Sequence, residues 1–95
     1  MEELDSLFKI KNKSDLDLEQ YQYILDSLLP YVAKHLNFDK PVTINFVSDK
    51  KNADEDLGKT GFYHPEEDAV YVFTDKRHIK DILRSMCHEL VHHMQ

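Results

Sequence analysis

The sequence predicts an α+β domain, and three observations carry that prediction. Apolar residues recur every three or four positions from Leu18 to Leu36 and again from Ile79 to Met94, the period of an amphipathic helix. From Pro41 to Val47 they alternate singly with polar residues, the period of a half-buried strand. The segments TGFYH and AVYVFT flank PEED, whose proline and acids suit a four-residue hairpin loop between two further strands. The expected architecture is an N-terminal helix and a small, twisted, three-stranded sheet packed against a C-terminal helix.

Taken in order, residues 1–17 form an N-terminal segment in which Leu4, Leu7 and Phe8 keep helical spacing before running into KIKNK. That pattern predicts a short docking helix or a frayed end. Ser14, Asp15 and Asp17 offer N-cap oxygens to the first long helix, with Leu18, Tyr21, Leu25, Leu28, Val32 and Leu36 as its apolar face. Pro30 removes one backbone donor and clashes with the preceding turn, so a kink or a break is expected near Leu29. After NFDKP, the strand from Pro41 to Val47 turns Val42, Ile44 and Phe46 inward. Residues 48–60, SDKKNADEDLGKT, read as a polar loop, either mobile or lying over a working cleft. The hairpin is expected beside the last helix, with Gly61, Phe62 and Tyr63 at an open sheet edge. The run from Asp75 to Gln95 lacks proline and glycine and forms the last helix, with Thr74 or Asp75 as its N-cap.

Composition narrows the function classes. Ninety-five residues make one domain, here residues 18–95 with the N-terminal segment in front of it. A formal net charge of −6 argues against a nucleic-acid partner, since that affinity depends on clustered cations releasing counterions. Lys9-Lys11-Lys13, Lys50-Lys51 and Lys76-Arg77 are short clusters flanked by acids and read as solvated faces. Cys87 is the only cysteine, so no intrachain disulfide forms. The acidic start is not a secretory signal, and no apolar run approaches the roughly 20 residues of a membrane span. A soluble, cytoplasmic protein without a membrane partner is expected.

The stretch CHELVHHMQ carries the chemistry. His88, Glu89 and His92 stand at H-E-x-x-H spacing on the predicted last helix. At about 100° per residue, Asp81, Ser85, His88 and His92 gather nearly opposite the apolar set from Ile79 to Met94. Residues four apart lie one turn apart, so both imidazoles can reach one tetrahedral zinc ion at about 2.0–2.1 Å. Glu89 projects to one side of the pair and can take a proton from the attacking water as general base, then return it to the departing amine. Chance would produce the string in about a few per cent of shuffled chains of this composition, so the weight falls on its setting: a helix, after a hairpin, on the face away from the core. The plain alternative is a solvated polar face.

Other candidates read as structural. Cys87 falls on the apolar side and is expected in the core. His93 points away from His88 and His92 and reads as a surface or supporting group, while His35 reads as helix surface. His78 lies about 15 Å up the helix axis from His88, too far to share an ion. His64, beside the hairpin turn, is the in-chain histidine to consider as a third ligand, with Asp68 behind it.

On these residues the sequence resembles the zincin metallopeptidases, and among them the gluzincins in a minimal form like the small peptidases encoded by phages. The resemblance covers roughly Leu18 to Gln95 and rests on the order helix, strand, TGFYH, hairpin, AVYVF and the helix bearing HELVHH. It implies a zincin-like fold and zinc-dependent hydrolysis of a peptide or protein substrate, in the host cytoplasm if the protein is phage-encoded. It also implies His88 and His92 as zinc ligands, Glu89 as general base, and Gly61, Phe62 and Tyr63 as a sheet edge pairing with the substrate strand. A gluzincin takes its third ligand, a glutamate, from a later helix, so that ligand is expected beyond Gln95. These ninety-five residues then read as the front part of a longer protein, inactive by themselves. The alternative is a non-catalytic protein-interaction domain with an incomplete metal site.

Overall fold

The computed structural model describes residues 7–49 and 60–94. The chain builds a mixed four-stranded sheet and two helices, an α+β arrangement: β1 (Phe8–Lys13), a 3-10 turn (Leu18–Tyr21), α1 (Gln22–Leu36), β2 (Val42–Val47), β3 (Gly61–His64), β4 (Ala69–Phe73) and α2 (Ile79–His93). The strand order is β1-β2-β4-β3, with β1 and β4 parallel to β2 and β3 antiparallel to β4. Parallel neighbours need a crossover, which α1 supplies between β1 and β2.

β1 corrects the expectation of a short helix or frayed end, and of three strands. Phe8 and Ile10 alternate with Lys9, Lys11 and Lys13, and Phe8 is buried while the three lysines are exposed. Two apolar residues in six make a weak period-2 signal, and Leu4, Leu7 and Phe8 suggested a helix more strongly. The partner strand decides the matter, pairing Phe8 with Val42 through to Lys13 with Val47. Charged side chains along a sheet edge also discourage pairing with other chains.

By register, Phe8, Val42, Ile44, Phe46, Val70 and Val72 share one face of the sheet, and both helices cover it. They form a single buried cluster with Leu25, Leu29, Val32 and Ala33 of α1 and Ile82, Met86 and Leu90 of α2. Cys87 packs against this cluster, as expected of a small apolar residue, and burial pushes its thiol pKa up. Val91, counted with the apolar stripe, is instead exposed.

α1 continues through Pro30 as one helix, so of the expected kink or break the break does not occur. The proline leaves the Asp26 carbonyl without its helical donor, but Asp26 is exposed, so water can take that bond. Buried Leu25, Leu29, Val32 and Ala33 hold the helix to the sheet on both sides of the proline. Asp17 caps the preceding 3-10 turn by accepting from the Glu19 amide, and Asn37 ends α1 in the left-handed conformation.

The last helix starts four residues later than Asp75. Lys76 takes a positive φ of 59°, and His78, not Thr74 or Asp75, is the N-cap, its Nδ1 accepting from the Lys80 amide at 3.1 Å. Arg77 secures the junction: it donates to the carbonyls of Thr60, Phe73 and Asp81 and to Ser85 Oγ. It thereby ties the open end of the hairpin to the first turns of α2, although burial lowers its pKa. The Leu4 part of the N-terminal reading and residues 50–59 of the polar loop lie outside the described residues. Among the described residues, no helix is long and apolar enough to cross a membrane.

Candidate functional site

The hairpin forms as expected, with Pro65 to Asp68 as its turn, and β3 is an edge strand beside α2. Phe73 donates its amide to the Thr60 carbonyl, and the register continues through Phe62↔Tyr71 and His64↔Ala69. Bonding in an antiparallel ladder alternates, so Gly61 and Tyr63 turn their amides and carbonyls towards the open side. Among the described residues, no strand pairs with β3 there. On the sheet face away from the helices, Phe62 stacks on Tyr71 with centroids 4.7 Å apart.

Between this edge and α2 lies an open cleft of about 360 Å³, lined by Gly61, Phe62, Tyr63, Pro65, Glu89 and His92. Gly61 lets β3 lie close to the backbone of β4: a Cβ there would stand 2.7 Å from the Tyr71 carbonyl oxygen, and 3.4 Å from Glu89 Cγ on the helix side. The first neighbour is backbone in a paired strand and cannot swing aside. Gly61→Ala is therefore expected to cost about 1–3 kcal/mol, read by urea unfolding, as an overpacked site does. An unchanged midpoint would contradict this close approach.

The structure places the motif residues differently from one another. Glu89 is buried at 8% exposure on the shoulder of the apolar stripe, whereas His88 and His92 are exposed. The two imidazole rings stand perpendicular with centroids 5.0 Å apart. Two imidazoles bound to one tetrahedral ion at about 2.0–2.1 Å would have centroids roughly 5 Å apart, a spacing that this edge-to-face ring contact also matches. Among the described residues, no group of three His, Cys, Asp or Glu side chains could hold a metal ion. His64 faces its own turn, with Nδ1 3.4 Å from Glu67 Oε1, and Asp68 is taken up by Lys40 at 2.8 Å. Lys40 holds the Asp68 carboxyl below its ordinary value of 3.8.

His35 is exposed and packs against Tyr31, as a helix-surface residue should. His93, however, is not a surface group. It is buried at 5% exposure, 3.0 Å from the Tyr63 hydroxyl and 3.0 Å from the Lys40 carbonyl oxygen. The signal was present in the helix periodicity: counted from His88 at about 100° per residue, His93 falls near 140°, between Ile82 and Met86 of the core stripe. His35, His78 and His64 do not join His88 and His92. The chain has no significant match among protein-family models, curated proteins or solved structures.

Proposed function

We propose that this chain supplies the zinc-binding helix and the substrate edge of a zincin-type, gluzincin-like metallopeptidase. The observation that carries the reading is one cleft where Glu89 and His92 of α2 meet Gly61, Phe62 and Tyr63 of an open strand edge. His88 and His92 would hold the ion, with a third ligand supplied from outside the described residues. Bound zinc would polarise the scissile carbonyl and acidify water. An extended peptide would add to β3 through the outward amides and carbonyls of Gly61 and Tyr63, which fixes its register along the cleft. Glu89, beside that strand, would take the proton of the attacking water and deliver it to the leaving amine.

The test is a calorimetric titration of Zn2+ into the wild-type chain and into His92→Ala at neutral pH. The wild type is expected to bind weakly, and losing one of two ligands should lower affinity by at least about tenfold. Equal affinities for the two proteins would overturn the metal site. With only two candidate ligands among the described residues, cleavage of peptides by the ninety-five residues is not expected. Chelator-sensitive cleavage by them would place a third ligand within the chain. Tight zinc without cleavage would favour the interaction-domain alternative, for which the β3 edge, unpaired among the described residues, is a ready surface.

A further inference from the structure

The end of a helix is where its hydrogen bonds run out and where opening costs least. His92 sits in that last turn of α2, is exposed, and has the His88 ring as its neighbour. What fixes the turn is the next residue. The Lys40 carbonyl can only accept, so His93 Nε2 carries the hydrogen of that 3.0 Å bond and Nδ1 is left with a lone pair. The Tyr63 hydroxyl, 3.0 Å from Nδ1, donates to it. Asp68 is farther from that hydroxyl, at 3.4 Å, and takes its bond from Lys40 at 2.8 Å. The rings of Phe38 and Tyr63 also pack on the imidazole, at 5.4 and 5.5 Å.

Both ring nitrogens of His93 are thus engaged by two different parts of the fold, the loop before β2 and the edge strand β3. We propose that His93 is a positioning residue for the metal pair: by anchoring the last turn of α2, it keeps His92 one helical turn from His88. This rests on the zinc reading above. Unwinding by a single residue would carry His92 around by about 100° and break the bite. The same Tyr63–His93 bond joins the strand proposed to hold substrate to the helix proposed to hold the ion, and with the Gly61–Glu89 approach it sets the spacing between them at the end of α2.

The test is a double-mutant cycle read by Zn2+ calorimetry on the full chain: wild type, His93→Ala, His92→Ala and the double variant. His93→Ala is expected to weaken zinc on the order of tenfold beside an intact His92, and to change little once His92 is alanine. Equal losses in both backgrounds would show general destabilisation and overturn the inference. Tyr63→Phe, which keeps the ring packing and removes only the hydroxyl, should give a smaller loss of the same pattern. Without zinc, amide exchange from Leu90 to Met94 should speed up in His93→Ala and Tyr63→Phe while the sheet amides hold. Zinc binding left intact by His93→Ala overturns this inference alone. A wild type that binds no zinc overturns the metal reading and the inference with it.

Discussion

Replacing Phe46 by alanine is expected to destabilise the domain by about 3–5 kcal/mol, seen as a lower urea midpoint at unchanged slope. Phe46 is 0% exposed in the interior strand β2 and belongs to the cluster that both helices share. Truncation there leaves a cavity that two helices and a sheet cannot all close. A chain of this length has a total stability of roughly 5–14 kcal/mol, so the loss is a large fraction of the whole. Phe62→Ala makes the control. Phe62 is 37% exposed and packs on Tyr71 and Phe73 outside that cluster, so its loss should cost less, about 1–2 kcal/mol. If Phe46→Ala were as mild as Phe62→Ala, the two-layer core described here would be wrong.

The larger functional effect is expected from Glu89→Gln. On the proposed reading, in a form of the protein that supplies the third ligand, cleavage of a fluorogenic peptide library should fall by about 10²–10⁴-fold, with zinc affinity and folding unchanged. Glutamine keeps the size and one hydrogen-bonding oxygen of glutamate but cannot take up the proton. Glu89 lines the cleft without belonging to the exposed histidine pair, so the variant separates proton transfer from metal holding. Retention of more than about a tenth of the rate would remove Glu89 from the role of base. Loss of zinc along with activity would make it a ligand instead.

Much of this arrangement was legible in the sequence because the residues involved follow strong periods. The Val42–Val47 strand, the hairpin around PEED and the apolar face of α2 stand where alternation and helical spacing put them. The open edge at Gly61–Tyr63 was expected from the zincin resemblance and not from the periodicity of the residues. β1 was hidden because its short run carries three lysines, and because pairing with a distant strand, not its own composition, makes it a strand. The start of α2 was misplaced because Lys76 and His78 form the turn and cap in place of the usual glycine, serine or aspartate. The surface alternative for His93 failed for a related reason: a polar residue on an apolar stripe is satisfied by partners 30 and 53 residues away in sequence, Tyr63 and Lys40.

The most direct measurement of the central claim is zinc K-edge X-ray absorption on the chain carrying one equivalent of Zn2+. The account predicts a first shell of nitrogen and oxygen at about 2.0–2.1 Å, with the outer-shell scattering of two imidazole rings. That ring scattering should vanish when His88 and His92 are both replaced by alanine. A spectrum unchanged by the double replacement, or a zinc–sulfur distance near 2.3 Å that brings in Cys87, would contradict it.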